Sequence, residues 1–405
     1  MLKLYNTFGR KLMLFRPVKE DLVTIFTCGP SVYQRAHIGN FRTFLFEDLL
    51  VRYLEYSGYK VRRGLIFTDI EDKAVLEADK KHTSIQELAD KNIREFLEEM
   101  KLLRMKTPEY MPKASKSVKQ AVEIIEQLME RKIAYWHKGN VYFDPLKFKG
   151  FGKLYGLDMS KWPKKRVRFH KDTYPGIQWN LGDFILWHGY KKGEKAYWDT
   201  GIGRGRPSWN VQDPAMISRY FDETLSIYCG GIDNLYRHHD YTLAILESIR
   251  PYPMARFWLH CHHLYVNGQK MSKSKGNIYY TDMLSKEGYS MQEIRFFLIY
   301  AHYRENLYFS DDNMASVVSG LKKLKGHVAA IKRRASTLAP TDSAISGKIL
   351  TIFSEHMDRD LSVKCAFDGV HSIISGTDIR SLTQPEASGI IRALRKIDEV
   401  LQVIF

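Results

Sequence analysis

The stretch from Thr24 to Tyr59, TIFTCGPSVYQRAHIGNFRTFLFEDLLVRYLEYSGY, decides the fold. Leu22 to Phe26 is an apolar β-type run that breaks at Cys28-Gly29-Pro30. After a short polar segment comes His37-Ile38-Gly39-Asn40, and then Phe44, Leu45, Leu49, Leu50, Tyr53 and Leu54 recur at helical spacing. The spacing predicts a helix from about Phe41 to Ser57, stopped by Gly58. Strand, glycine turn and helix start together aim backbone N–H groups and the positive end of a helix at an anion. His37 and Asn40 flank Gly39, so both can reach a phosphate there, and Gly39 lets it approach the backbone closely. A second strand is predicted from Lys60 to Thr68. A helical crossover of this length implies a parallel sheet, with its site beyond the carboxyl ends of the strands. Cys28 and Thr68 each follow a strand, hence share that rim.

A lone H-x-G-N is a common solvated turn, but a second phosphate-handling element lies far downstream. Gly268-Gln269-Lys270-Met271-Ser272-Lys273-Ser274-Lys275-Gly276-Asn277 alternates lysines with serines between glycines. Such a loop can bring ammonium groups to a polyphosphate. A net charge of +16 favours polyanionic partners, nucleic acid above all. From Asp311 to Phe405 there are 13 Lys/Arg against 11 Asp/Glu, so nearly all of that excess precedes residue 311.

Outward from these two elements, 405 residues allow two or three domains with an ample core. No apolar run of about 18 residues predicts a membrane span, and the N-terminus has no apolar leader core. Cys28, Cys229, Cys261 and Cys365 are scattered without C-x-x-C spacing, which fits a reducing cytoplasm rather than a disulfide framework. Residues 1–20 read as a polar lead-in with one strand, and 83–135 as two or three structural helices. Residues 136–225 are aromatic and turn-rich, and contain Lys161-Trp162-Pro163-Lys164-Lys165-Arg166-Val167-Arg168-Phe169-His170-Lys171, basic groups interleaved with rings that suit a single-stranded RNA end. Ile227-Tyr228-Cys229 leads into Gly230-Gly231-Ile232-Asp233, again a strand ending in a glycine turn. Val317, Leu321, Leu324, Val328 and Ile331 repeat at helix spacing, and a Pro/Ser/Gly linker from Thr337 to Gly347 precedes at least two more helices.

H-I-G-N followed by K-M-S-K-S resembles the paired signatures of class I aminoacyl-tRNA synthetases, usually H-I-G-H and K-M-S-K-S. Cys28-Gly29-Pro30-Ser31-Val32-Tyr33, Thr68-Asp69-Ile70-Glu71-Asp72-Lys73, Asp183-Phe184-Ile185-Leu186-Trp187, Gly230-Gly231-Ile232-Asp233, His238-His239 and Arg295-Phe296-Phe297-Leu298 resemble the cysteinyl-tRNA synthetase family in particular. The resemblance implies an α/β fold: a Rossmann-like doubly wound parallel sheet, split by an α+β insertion and followed by a C-terminal helical bundle. It implies a first half of the nucleotide-binding domain at 1–135, an insertion at 136–225, a second half with the lysine loop at 226–310, and a bundle at 311–405 that ends before the family's small terminal module.

The same resemblance implies ATP-dependent formation of an aminoacyl-adenylate, with Mg²⁺, and transfer to tRNA by a cytoplasmic monomer. His37, Asn40, Lys270 and Lys273 are then the catalytic residues. Gly39, Gly230, Gly231 and Lys273 hold ATP, and Cys28, Gly29, Thr68, Trp209, Asp233 and His238 hold the amino acid, cysteine by family. Asn40 replaces the usual histidine, and both donate hydrogen bonds.

The family selects cysteine with a zinc ion held by Cys, Cys, His and Glu. In this chain those positions carry Cys28, Asp213, His238 and Thr242. Three outcomes follow from the residues: Cys28, Asp213 and His238 still hold zinc; Cys229, Cys261, His239, His262 or His263 supplies a replacement; or the metal is gone and selectivity has changed. The functional readings are accordingly a cysteinyl-tRNA synthetase with an altered metal site, a paralogue that delivers an amino acid to a small amine, one that modifies tRNA, and a non-catalytic tRNA-binding protein. An intact K-M-S-K-S argues against the last.

Overall fold

A computed structural model describes residues 1–157, 182–271, 275–335 and 343–405. The basic segment at 161–171, Lys273 and part of the linker after 335 lie outside the described residues.

The lead-in forms an antiparallel hairpin, β1 (Lys3–Asn6) with β2 (Lys11–Leu14), rather than one strand. The first βαβ unit is β3 (Leu22–Thr27), α1 (Ile38–Tyr56) and β4 (Lys60–Leu65). After it come α2 (Asp72–Lys80), α3 (Ile85–Leu102) and α4 (Val118–Glu130). The insertion is an antiparallel sheet in the order β5 (Ala134–His137), β6 (Asn140–Phe143), β7 (Phe184–Gly189), β8 (Gly205–Pro207). It returns through α5 (Trp209–Tyr220) to a second βαβ unit, β9 (Leu225–Gly231), α6 (Asp240–Ile249) and β10 (Ala255–Cys261).

The four βαβ strands make one parallel sheet ordered β10-β9-β3-β4. The two units therefore meet at β3 and β9 and wind away from each other, which opens a crevice at the carboxyl ends of those strands. The two central strands, β3 and β9, are buried on both faces because both faces are covered. Along β3, Val23 and Ile25 join a core with α1 and the C-terminal helices, whereas Phe26, followed by Cys28, joins a core with α4, α5, α6 and the insertion.

β11 (Leu264–Val266) and β12 (Gln269–Lys270) form a hairpin beside β13 (Leu307–Phe309). Its turn is Asn267-Gly268 with φ of 48° and 75°, the two positive values that suit this dipeptide in a tight hairpin. Helices α7 (Thr281–Lys286) and α8 (Met291–Tyr300) lead to α9 (Asp311–Arg334), α10 (Ala344–Met357), α11 (Val363–Ser375) and α12 (Gln384–Leu401). Three helices thus follow the linker, whose last residues belong to α10 because Ser343 caps it.

Helix α1 is buried on nearly every side, and two of its buried charged residues, Arg42 and Asp48, are held by internal partners. Arg42 donates to the carbonyls of His262, Leu298, His302 and Glu305. Asp48 binds Arg295 at 2.7 Å, which fastens α8 to α1. A buried ion pair of this kind sets position more than it adds stability.

Candidate active site at the sheet rim

Helix α1 begins at Ile38, three residues before the periodicity indicates, because His37 and Asn40 close a capping box. The Asn40 backbone N–H donates to His37 Nδ1 (3.3 Å), and the His37 backbone N–H donates to Asn40 Oδ1 (3.0 Å). The box satisfies two orphan donors at the helix start. It also fixes the chemistry that remains: Nδ1 of His37 accepts, so the ring's proton sits on Nε2, and Asn40 keeps its Nδ2 donors. Burial pushes the His37 pKa down to about 4, so the imidazole is neutral at physiological pH. Both side chains are therefore hydrogen-bond donors rather than charges.

The lysine loop meets this corner. A Cβ built on Gly39 would lie 2.5 Å from Cε of Met271 and 3.1 Å from the His37 ring. Met271 therefore occupies the space that glycine leaves, and the two signatures touch. Lys270 Nζ lies 3.7 Å from Asp233 Oδ2 at the end of β9.

A cavity of about 260 Å³ opens at the crevice between β3 and β9. Cys28, Gly29, Asn40, Thr68, Trp209, Gly231, Asp233 and His238 all line it. Thr68 reaches the rim through a bridge to Ser31, since β4 has ended at Leu65 rather than running to Thr68. Gly29 has a packing reason as well: a Cβ there would fall 1.5 Å from the Ile66 carbonyl oxygen. At Gly230 a Cβ would meet the His239 ring at 2.6 Å, and at Gly231 the Asp233 carboxylate at 2.7 Å.

Beneath the cavity lies a buried polar cluster. Cys28, Asp213 and His238 bring one ligand atom each to within 4.8 Å of one another. His238 Nε2 is 2.9 Å and Cys28 Sγ 3.3 Å from Asp213 Oδ2, and the Tyr228 hydroxyl donates to the same oxygen at 2.7 Å. His239 Nε2 is 2.9 Å from Cys28 Sγ, and its Nδ1 is 2.8 Å from Nε2 of His260. The Trp209 ring stacks on His238 at 4.1 Å. Burial, reinforced by Asp213, raises the Cys28 thiol well above its ordinary pKa, so without a cation it stays protonated. Burial likewise holds His239 far below the ordinary imidazole range and His260 at about 3.

Among the described residues, Asp213 Oδ1 and His238 Nδ1 are buried without a hydrogen-bond partner. A thiol, a carboxylate and an imidazole converging from three elements, with two orphaned atoms among them, fit a metal ion with three protein ligands and one position open to the cavity. Thr242 adds no ligand, because its hydroxyl donates to the His238 carbonyl one turn back (2.8 Å). Among the proposed replacements, only His239 brings its side chain to the Cys28 thiol. Strand alternation turns Cys229 and Cys261 into the core on the α1 side of the sheet, away from Asp213. His262 and His263 belong to the segment after β10 and take no part in the cluster. Tyr228 and His260 are the site residues that motif spacing misses. Two-residue periodicity could have found Tyr228, which shares a strand face with Gly230.

A parallel sheet split by an insertion, with a histidine-bearing helix start and a lysine loop meeting at its switch point, defines the class I aminoacyl-tRNA synthetases. Comparison with solved structures agrees at the level of the fold. Mycobacterium tuberculosis methionyl-tRNA synthetase in complex with methionyl-adenylate superposes with a TM-score of 0.65 at 12% identity, covering 95% of this chain and 90% of that one. The LeuRS of the Agrobacterium radiobacter K84 ternary complex with tRNA and LeuAMS gives 0.68 at 11%, covering 96% and 85%. The family model of the class I (C) tRNA synthetase catalytic domain matches residues 14–319. The cysteine--tRNA ligase of Chlamydia caviae is 36% identical over 100% of this chain and 86% of its own length, and that of Protochlamydia amoebophila is 32% identical with the same coverage. The chain belongs to the cysteinyl-tRNA synthetase family. Membership implies the use of ATP and Mg²⁺ and, as substrates, an amino acid and tRNA.

Proposed function

We propose that this enzyme activates cysteine with ATP and transfers it to tRNA, giving cysteinyl-tRNA, AMP and diphosphate, as a cytoplasmic monomer. The observation that carries the reading is Met271 seated on Gly39, next in the chain to Asn40, which lines the cavity together with Cys28, Thr68, Trp209 and Asp233.

In the first step a carboxylate oxygen of cysteine attacks the α-phosphorus of ATP, and the bond to the diphosphate oxygen breaks. The reaction needs alignment and donors placed where negative charge grows, with no side-chain nucleophile. His37 Nε2–H and Asn40 Nδ2–H, held by the capping box, donate to the phosphates without themselves titrating. Lys270 and Lys273 accompany the departing charge. Gly39, Gly230 and Gly231 leave room for the nucleotide. Asp233 takes the ammonium of the amino acid, releasing Lys270 from its 3.7 Å contact, while Thr68 and Trp209 form the wall.

Cys28, Asp213 and His238 would hold zinc, which when bound supplies a soft Lewis acid that prefers a thiolate to a hydroxyl. Tyr228 and His239 orient Asp213 and Cys28 through the contacts of 2.7 and 2.9 Å. Charging of tRNA with radiolabelled cysteine tests the reading directly. Label appearing in an ATP-dependent tRNA ester supports it, and label on a small amine with none on tRNA favours the paralogue reading instead.

A further inference from the structure

Arg35 lies two residues before the first signature and belongs to no motif. It nevertheless joins three elements. Its Nη2 is 2.7 Å from Glu99 Oε1 on α3, its Nη1 is 2.7 Å from Asp282 Oδ1 on α7, and its guanidinium lies 4.9 Å from the centre of the Tyr280 ring. The neighbouring contacts run the same way. Ile38 N–H donates to the Tyr279 carbonyl at 3.0 Å, and the Thr281 hydroxyl donates to the same Glu99 oxygen at 2.5 Å. Tyr279–Asp282 is the segment by which the chain leaves the lysine loop. The segment by which it enters, Lys270 and Met271, rests on Asp233 and Gly39. Both ends of the loop are thus fastened to the stretch that opens α1.

We propose that Arg35 is a positioning residue for the activation step, fixing the outgoing end of the lysine loop against the start of α1; this rests on the function proposed above. Only a planar fork can bind two carboxylates from different helices while stacking on a ring, so lysine is an imperfect substitute. Glu99 is buried, which makes its share of the contact the firmer one; Asp282 is half-buried and contributes less.

The test is hydrogen–deuterium exchange together with cysteine-dependent ATP–diphosphate exchange, for the wild type, Arg35→Ala, Arg35→Lys, Asp282→Asn, Lys270→Ala and the Arg35→Ala/Lys270→Ala double variant. Arg35→Ala should speed deuteration of the peptide containing Tyr279–Asp282 about tenfold while leaving the interior of α1 unchanged. It should lower the turnover number about tenfold or more, with the KM for cysteine within about twofold. Arg35→Lys and Asp282→Asn should fall between it and the wild type. In the Lys270→Ala background, Arg35→Ala should add less than about twofold, because both act through one loop. Unchanged deuteration, a raised cysteine KM with turnover intact, or fully multiplicative losses would each overturn the proposal. If the wild type exchanges diphosphate with no amino acid, the function fails, and the deuteration arm still decides the anchor.

Discussion

Asp213→Asn separates the structural role of the buried cluster from its metal-binding role. Asp213 is fully buried, with one oxygen, Oδ2, shared by Tyr228, His238 and Cys28, and the other, Oδ1, without a partner among the described residues. An asparagine keeps the shape: its carbonyl takes the shared position, while its amide puts two N–H donors at the orphaned one, where leaving them unsatisfied costs about 1–3 kcal/mol. Charge assistance is lost as well, about 0.5–2 kcal/mol for each of the three contacts, since hydrogen bonds to charged groups contribute about 1.5–3 kcal/mol and neutral ones about 1 kcal/mol. Part of that is offset because a carboxylate no longer has to be buried. A metal ion, in contrast, loses an anionic ligand. Changing even an outer-shell partner typically weakens metal affinity about 10–100-fold, so removing this ligand should weaken zinc binding by about 100-fold or more.

The assays are urea unfolding of both proteins and zinc titration against a competing chelator. Zinc binding to the wild type should also tighten as pH rises, by about tenfold per unit, because the ion must displace the proton that burial keeps on Cys28. An Asp213→Asn variant that is nearly as stable as the wild type but holds zinc within threefold of it would refute the assignment of Asp213 as a ligand.

Gly39→Ala should leave stability within about 1 kcal/mol, since the gain in helix propensity offsets the crowding of a flexible methionine tip, while activation falls at least about tenfold; equal activity would show that Met271 and the close approach at Gly39 do not matter. Lys273→Ala should lower the rate of activation far more than ATP affinity, and an unchanged single-turnover rate removes that lysine from the mechanism. His37, with its folded pKa about 4 against an ordinary value near 6.5, contributes stability that is fully present above pH 6.5 and is lost as pH falls through about 4. Imidazole NMR should accordingly find it neutral, with its proton on Nε2, at pH 5.5; a charged ring at that pH contradicts the capping-box account.

Sequence patterns carry most of the sheet and both ends of the site, because each rests on local chemistry. Cys28-Gly29-Pro30 ends one apolar strand, Gly230-Gly231 ends another, and the periodic leucines of α1 mark a buried helix. The start of α1 was hidden because histidine is an unusual N-cap, and its partner, Asn40, reads equally well as a ligand. The lead-in hairpin was missed because β2 is half exposed and its residues do not alternate in polarity. Which of the five replacement ligands could reach Cys28 depends on sheet faces and on the turn from β9 into α6, neither of which is visible in residue spacing. Tyr228 and His260 entered the site for the same reason: contacts between strands and helices far apart in the chain.

In the proposed mechanism the start of α1 and the lysine loop serve one nucleotide at the rim between β3 and β9, beside a pocket for cysteine. ATP–diphosphate exchange measured across all amino acids addresses it most directly. Strong exchange with cysteine and far weaker exchange with serine is the expected result; silence with every amino acid, from folded protein that still binds tRNA, contradicts the account.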